Sequence, residues 1–216
     1  MFDLSKKFEY ENGFYLTSDV SRIGKLLAHY ELYKKIISLP GEVIECGIFK
    51  GTSLIRFATF RDLLENPYSR KIIGFDVFGK FPESQYDPDK KFLKSFIESA
   101  GETGISVEKL KEVFERKKTT NYELVKGNIN QTVPEYTKNN PQLKIALLHI
   151  DTDVYEPAVT ILENLFDRVV RGGIVMFDDY GIFPGETKAV DEFLADKKYI
   201  INKLPISHIP AYIVKE

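Results

Sequence analysis

The chain has 216 residues, a length sufficient for one sizeable hydrophobic core but short for two. Hydrophobic residues make up 43% of it and charged residues 29%, a balance that excludes an intrinsically disordered chain. The net charge of -2 gives no overall positive field to attract nucleic acid or anionic lipid, so neither is expected as a partner.

The N-terminal sequence and the cysteine content indicate a location. Residues 1–13 are polar and charged and lack the apolar stretch of a signal peptide. No segment is long and apolar enough to cross a bilayer. Cys46 has no second cysteine for an internal disulfide, and one cysteine cannot build a zinc cluster. We therefore expect a cytoplasmic protein without a membrane partner.

Short apolar segments alternate with helical patterns along the chain. The apolar segments are nearly continuous and rich in β-branched residues, which is typical of strands buried on both faces of a parallel sheet. They are 42–47, 71–76, 122–125, 143–151 and 173–178, of which 122–125 is the weakest. Apolar residues at helical spacing predict helices at 23–38, 52–64, 156–165 and 187–194. The alternation predicts right-handed βαβ units in a doubly wound, mostly parallel α/β sheet.

Three further regions complete the predicted organisation. Residues 1–40 form an N-terminal helical segment, and the charged residues 83–119 form a helical insertion after the second strand. The insertion is either a lid or a solvated pair of surface helices. Residues 199–203 and 211–214 predict two closing strands in an antiparallel hairpin, which makes seven strands. Because no repeat or low-complexity linker divides the chain, residues 1–216 are predicted to form a single domain.

A glycine-containing loop, ECGIFKGTS, follows the first predicted strand and opens a helix that contains Ser53. Gly47 and Gly51 allow a tight turn with the backbone close to a ligand, and the helix start offers free N–H groups. The loop is not a Walker A motif, because Lys50 precedes Gly51 instead of following it, and it is not the dinucleotide GxGxxG pattern. A plain strand-to-helix turn is the alternative interpretation.

Acidic residues accompany this loop. Glu45 lies within the apolar first strand, where a carboxylate needs a partner, and it suits the cationic or amine end of a ligand resembling S-adenosylmethionine. Asp76 ends the second strand, where a carboxylate can accept hydrogen bonds from both ribose hydroxyls, with a helix N-cap as the alternative. Position alone places Gly127 and Asn128 near an adenine. The predicted cofactor-binding residues are Glu45, Gly47, Gly51, Ser53, Asp76, Gly127 and Asn128.

Two acidic motifs end the fourth and fifth predicted strands, Asp151-Thr152-Asp153 and Asp178-Asp179. If these strands are neighbours, their carboxylates converge at the ligand-binding edge of the sheet and repel one another. Neither motif contains a cation, so a bound metal ion is predicted, and oxygen ligands favour Mg2+ or another hard divalent cation. The predicted ligands are Asp151, Asp178 and Asp179. The metal would lower the pKa of a substrate hydroxyl, and Asp151 is the predicted catalytic proton acceptor, ahead of Asp153. A helix cap is the alternative for Asp153.

Four segments resemble the macrocin O-methyltransferase family in order and spacing. They are GEVIECGIFKGTS, IIGFDVFGKFPE, HIDTDVYEP and GGIVMFDDYGIFPGETKAVDEF, which cover most of residues 41–194. The resemblance implies a class I methyltransferase fold, S-adenosylmethionine beside Glu45 and Gly47 with its ribose on Asp76, and Mg2+ on the three aspartates named above. It also implies methyl transfer to a hydroxyl of a sugar, nucleotide sugar or glycosylated small molecule, and a homo-oligomer. Gly79 and Lys80 depart from the acidic residue and glycine usual in the family.

Three other functions compete with a methyltransferase. Asp151-Thr152-Asp153-Val154 looks like the nucleophile motif of haloacid dehalogenase-type phosphohydrolases, although that motif usually opens the fold and here only 63 residues follow Asp153. The same Asp-x-Asp pattern fits a metal-dependent glycosyltransferase that binds a nucleotide sugar. A non-catalytic nucleotide-binding module would leave the cluster of three aspartates unexplained.

Overall fold

A seven-stranded sheet forms the centre of the structure, a computed structural model that describes residues 3–216. The first five strands are parallel, and the last two run antiparallel to their neighbours. The strand order is β3-β2-β1-β4-β5-β7-β6. The strands are β1 Glu42–Cys46, β2 Ile72–Asp76, β3 Tyr122–Lys126, β4 Ile145–Ile150, β5 Val169–Phe177, β6 Asn202–Lys203 and β7 Ala211–Val214.

Helices cover both faces of this sheet. The helices are α1 Lys7–Thr17, α2 Val20–Lys34, α3 Thr52–Leu64, α4 Asp87–Ala100, α5 Val107–Lys117, α6 Ile129–Asn139, α7 Tyr155–Leu165 and α8 Pro184–Leu194, with short 3-10 helices at Leu4–Lys6 and Phe166–Arg168. Buried residues of α6, α7 and α8 form one core with one face of the sheet. Buried residues of α2, α3 and α5 form a second core with the other face. The predicted doubly wound α/β sheet, buried on both faces, is confirmed.

The strand order brings four loops together at the carboxyl edge of the parallel strands. β1 lies between β2 and β4, and β4 pairs with β5, so the loops that follow these strands are neighbours. The tips of β1 and β4 touch at Gly47, which has a φ angle of +90°. A Cβ atom added at Gly47 would lie 1.8 Å from the carbonyl oxygen of Asp151, so only glycine permits this approach.

The predicted insertion contains α4 and α5 and is tied to the rest of the chain through Asp89. This buried carboxylate accepts hydrogen bonds from the backbone N–H of Tyr155 at 3.0 Å and of Gly185 at 2.7 Å. Both amides lie in the first turn of a helix, α7 and α8 respectively, so one side chain caps two helices. Whether the insertion acts as a lid stays a prediction, as does the single-domain organisation.

The helical N-terminal segment differs from the other helices in its packing. α1 contains no buried residue, whereas α2 places Gly24, Ala28, His29, Leu32 and Tyr33 in the interior. Among residues 3–216, no helix has both the length and the apolar character needed to span a membrane.

Candidate active site

A cavity of about 650 Å3 opens where the four loops meet, a volume within the usual range for small-molecule sites. Seven residues of the predicted site line it: Gly47, Ser53, Asp76, Asn128, Asp151, Asp178 and Asp179. Asp153 lines it as well. Glu45, Gly51 and Gly127 were predicted to contact the cofactor but lie outside the cavity wall.

Glu45 lies behind the glycine loop, fully buried at the end of β1. One of its carboxylate oxygens accepts a hydrogen bond from the Ser53 hydroxyl, while the other has no partner in the described chain. Burial raises the pKa of the Glu45 carboxyl to about 8. The partner required for a carboxylate in an apolar strand is therefore a neutral hydroxyl from the first turn of α3.

Asp76 organises two loops with its side chain. Its Oδ2 accepts hydrogen bonds from the backbone N–H of Ile48 at 2.7 Å and of Phe49 at 3.0 Å, and its Oδ1 accepts one from Phe78 N–H at 2.5 Å. The next helix along the chain, α4, begins at Asp87 and has Tyr86 at its N-cap, so the N-cap interpretation of Asp76 is wrong. The ribose contact stays a prediction, and the loop contacts are an additional role.

The two glycines outside the cavity wall shape the main chain. Gly51 occupies the N-cap of α3 with a φ angle of +83°, in the left-handed region. Gly127 has a φ angle of +149° and donates its N–H to the carbonyl of Asp76 at 3.0 Å. The adjacent Asn128 lines the cavity and caps α6, since its Oδ1 accepts from the N–H of Asn130 at 3.0 Å.

The predicted metal ligands converge, because β4 and β5 are adjacent parallel strands. One carboxylate oxygen from each of Asp151, Asp178 and Asp179 lies within 4.8 Å of the other two. Burial and the negative charge of Asp178 raise the pKa of Asp151 to about 7. Burial and neighbouring aspartates also raise the pKa of Asp179 well above its ordinary value, and its buried Oδ2 has no hydrogen-bond partner in residues 3–216. These oxygen donors fit a hard divalent cation.

Neither acidic motif contains a cation, but in the folded chain a lysine from another helix contacts the cluster. The ammonium of Lys25, from α2, forms an ion pair with Oδ2 of Asp178. His149 Nε2 lies 3.2 Å from Oδ1 of Asp178, and His29 Nε2 lies 3.7 Å from the same atom. Although burial opposes it, these neighbours, Lys25 first, hold the pKa of Asp178 well below its ordinary value. The metal is therefore not needed to balance Asp178.

The remaining carboxylates of the cluster lack a cationic contact within the described chain. They are Asp151, Asp153, Asp179 and Glu186 of α8. Glu186 belongs to the cluster because its Oε1 accepts a hydrogen bond from the N–H of Asp179 at 3.0 Å. Oε2 of Glu186 is buried without a partner, and burial raises the pKa of this carboxyl well above its ordinary value. Within residues 3–216, a lysine forms an ion pair with only one of these five acidic side chains, and the electrostatic case for a bound cation holds for the other four.

Asp153 has a strained backbone with a φ angle of +62°, which is uncommon outside glycine. The N-cap of α7 is Val154, without a side-chain hydrogen bond, so the helix-cap interpretation of Asp153 is wrong. Instead Asp153 forms part of the cavity wall. Burial and the charge of Asp151 raise its pKa well above the ordinary value.

Three residues of this site carried no usable signal in the sequence. Lys25 and His29 share one face of α2 at a spacing of four residues, and Glu186 lies in the first turn of α8. The only sequence pattern that could have indicated Lys25 and His29 as site residues is a lysine and a histidine one turn apart on a helix that faces the core.

Comparisons with known proteins find O-methyltransferases among the relatives of this chain. The chain is 28% identical over 150 residues to the 8-demethyl-8-(2,3-dimethoxy-α-L-rhamnosyl)-tetracenomycin-C 4′-O-methyltransferase of Streptomyces olivaceus, covering 67% of this chain and 54% of that protein. It is 29% identical over 167 residues to the demethyldecarbamoylnovobiocin O-methyltransferase of Streptomyces niveus, covering 73% and 60%. The matched segments thus span little more than half the length of these relatives.

Solved structures match over nearly the whole chain. Two crystal structures of CalS11, described as a calicheamicin methyltransferase and as a TDP-rhamnose 3′-O-methyltransferase, superimpose with TM-scores of 0.80 and 0.70 at 29% identity. They cover 98% of this chain and 86% and 87% of theirs. The predicted class I methyltransferase fold is confirmed by this similarity. The family model described as macrocin-O-methyltransferase (TylF) matches residues 25–214, and the chain belongs to this family.

Proposed function

We propose that this protein is an S-adenosylmethionine-dependent O-methyltransferase that uses a divalent cation, with Mg2+ as the first candidate. The observation that carries the proposal is that one cavity joins the loops after β1 and β2 to the acidic cluster after β4 and β5. A methyl donor and an acceptor hydroxyl need adjacent sites of these two kinds. Membership of the macrocin O-methyltransferase family supports the same reaction.

The two halves of the cavity have different tasks in this proposal. Gly47, Ser53, Asp76 and Asn128 bind the cofactor, with the ribose at Asp76. Asp151, Asp178 and Asp179 hold the cation. When bound, S-adenosylmethionine supplies an electrophilic methyl group, and Mg2+ lowers the pKa of the acceptor hydroxyl. The protein contributes mainly by fixing the two partners at a short distance, since orientation alone removes much of the barrier.

The proton acceptor of the reaction is Asp153 in this proposal, not Asp151. Asp151 belongs to the group of three carboxylates that holds the cation, and a carboxylate that shares its electrons with a cation is a weaker base. Asp153 lies outside that group and lines the cavity, and both observations favour it as the proton acceptor. Its strained backbone is consistent with a functional position.

The acceptor is a hydroxyl of a sugar, in a nucleotide sugar or a glycosylated small molecule. The matched relatives support this class, because the names of two of them specify a rhamnosyl or TDP-rhamnose hydroxyl. Neither a phosphohydrolase nor a glycosyltransferase is favoured, since the family and the fold both match methyltransferases. Assembly as a homo-oligomer and a cytoplasmic location stay predictions.

The experiment that tests the proposal combines calorimetry with a turnover assay. S-adenosylmethionine should bind the wild-type protein, and a panel of nucleotide sugars and glycosides should reveal an acceptor whose methylation requires Mg2+. Asp179→Asn should lower turnover at least about a hundredfold, more than the loss typical of residues that only support a ligand. Its affinity for S-adenosylmethionine should stay within about threefold of the wild type, because Asp179 lies in the acidic half.

A matched control is Asp167→Asn. The Asp167 side chain is 95% exposed and lies just before β5, at the opposite end of that strand. This variant should keep wild-type turnover. If the wild type kept its turnover rate in the presence of a chelator, or if Asp179→Asn turned over as fast as the wild type, the reaction would not need the cation.

A further inference from the structure

The cavity wall carries four cationic side chains: Arg22, Lys25, Lys50 and Arg56. The two lysines are occupied, because Lys25 pairs with Asp178 and Lys50 donates to the carbonyl of Thr103 at 2.5 Å. Neither guanidinium group has a hydrogen bond or ion pair to any residue that the structure describes. Two arginines of the cavity wall therefore carry guanidinium donors that no group in residues 3–216 accepts.

Arg56 is unusual among the partly or fully buried arginines of residues 3–216. The other three each donate several hydrogen bonds to carbonyl or carboxylate oxygens, as buried guanidinium groups normally do. Arg56 is half-buried and donates none to the protein. The three that do are Arg61, Arg70 and Arg168.

The two arginines are neighbours across the packed pair of helices α2 and α3. These helices touch along their length, as in the stacking of His29 on Phe57 with ring centroids 5.2 Å apart. Arg22 lies one turn before Lys25 in α2, and Arg56 one turn after Ser53 in α3. Burial and the positive charge of Arg22 lower the pKa of Arg56, as expected of like charges held close together.

Nearby acidic groups do not resolve this repulsion. Asp178, Glu45 and Asp151 are close enough to act on Arg56 through their charge, but none forms an ion pair with it. Asp178 is already paired with Lys25, and Glu45 is bonded to Ser53. The protein thus provides two unpaired cations at a cavity wall where an anionic group of a ligand would satisfy both.

We propose that Arg22 and Arg56 form an anion-binding subsite that holds a carboxylate or phosphate group of a ligand in the cavity. This inference rests on the proposed function in one respect: the cavity must bind the methyl donor and the acceptor. Two anions are available there: the carboxylate of the methionine part of the cofactor, and the diphosphate of a nucleotide-sugar acceptor. Guanidinium groups suit either one, since their paired N–H donors match two oxygens of a carboxylate or a phosphate.

Calorimetry with matched probes tests the subsite and separates the two sources. One pair is S-adenosylmethionine and 5′-methylthioadenosine, which lacks the carboxylate. The other pair is thymidine diphosphate and thymidine, which lacks the phosphates. In one of the two pairs, Arg56→Gln should weaken binding of the probe that carries the carboxylate or phosphate group by about ten- to a hundredfold, the scale of losing a hydrogen bond to a charged group. Binding of the uncharged probe should not change.

Arg22→Gln should weaken the same probe, and because Arg22 is exposed, this variant tests the subsite even if Arg56→Gln fails to fold. Arg171→Gln is the matched control, since Arg171 is exposed on β5 away from the cavity. If only the affinity for S-adenosylmethionine falls, the anion that the subsite binds is the cofactor carboxylate. If only the affinity for thymidine diphosphate falls, the anion is the diphosphate of the acceptor. Both results support the subsite.

If both arginine variants bound S-adenosylmethionine and thymidine diphosphate as tightly as the wild type does, the subsite would be overturned. Failure of the wild type to bind S-adenosylmethionine would contradict the proposed function, while an arginine-dependent affinity for thymidine diphosphate would still support the subsite. If the wild type bound neither S-adenosylmethionine nor thymidine diphosphate, both proposals would be wrong.

Discussion

The two halves of the cavity treat their carboxylates in opposite ways. After β1 and β2, Glu45 and Asp76 accept hydrogen bonds from a hydroxyl and from backbone amides, so their side chains help to fix the loops. After β4 and β5, five acidic side chains face one lysine. In the first half each carboxylate accepts at least one hydrogen bond from the protein, although one oxygen of Glu45 has no partner in residues 3–216. The second half keeps a surplus of negative charge that a ligand has to balance. Such an uncompensated cluster marks a functional site more clearly than a satisfied one.

The largest effect is expected at Asp178, the carboxylate of the acidic half that has a cationic partner. Asp178→Asn should lower the free energy of unfolding by about 3–5 kcal/mol, because it leaves the largely buried ammonium of Lys25 without its partner. Urea unfolding followed by circular dichroism measures the loss. In the double variant Lys25→Met, Asp178→Asn, most of it should be recovered. An unchanged midpoint in the single variant would show that the ion pair is not a stabilising contact.

The next effect concerns the first half of the cavity, after β1 and β2. Asp76→Ala should weaken binding of S-adenosylmethionine by about 1–3 kcal/mol, since it removes the acceptor proposed for the ribose and the acceptor of the loop amides of Ile48 and Phe49. Calorimetric titration measures this change. Asp76→Asn is the control, because its amide oxygen can still accept from the loop, and it should lose less. Equal affinities in all three proteins would refute the ribose assignment.

A smaller effect of opposite sign is expected at Asp179, next to Asp178 in sequence. Without divalent cations, Asp179→Asn should raise the free energy of unfolding by about 1–2 kcal/mol, because it removes a buried charge that lacks a partner. For a chain of this size, each kcal/mol corresponds to about 2–4 °C in Tm. Thermal unfolding with chelator detects the gain.

Adding Mg2+ should then reverse the order of the two proteins. Mg2+ should raise the Tm of the wild type through binding to the folded state, but not that of Asp179→Asn. A wild-type protein indifferent to Mg2+, or a variant less stable than the wild type in chelator, would contradict the contrast between the two halves.

The smallest effect concerns the hydrogen bond from Ser53 to Glu45 in the first half of the cavity. Ser53→Ala removes the hydroxyl that donates to Glu45 and should destabilise the protein by about 1 kcal/mol, the net contribution of one such hydrogen bond. Ser53→Thr, which keeps a hydroxyl, is the companion variant for urea unfolding. A loss much larger than this would mean that Glu45 depends on Ser53 as strongly as Asp178 depends on Lys25.

Most of the fold could be predicted from the sequence, because its signals are local. Continuous apolar runs gave the five parallel strands, and the predicted helix at 52–64 has the same bounds as α3. Helix α6 was missed, since Pro134 lies inside it and polar residues separate its buried Ile129 and Val133. β5 begins at Val169, earlier than predicted, because the segment before Gly173 still pairs with β4.

The candidate site was less predictable, because its charge balance depends on residues far apart in the chain. The acidic motifs were recognisable since strand ends place them at one edge of the sheet. Lys25 lies 153 residues before Asp178, and no local pattern links the two. The unpaired state of Arg22 and Arg56 is likewise a property of the folded protein alone.

The contact at Gly47 has a consequence for how this enzyme family can change its substrates. Because the tips of β1 and β4 meet at a distance that excludes a methyl group, peptide atoms set the spacing between the loops that follow these two strands. In the proposed function, acceptors of different size are then accommodated at the outer rim, where the 83–119 insertion and residues such as Ile182 and Phe183 complete the wall.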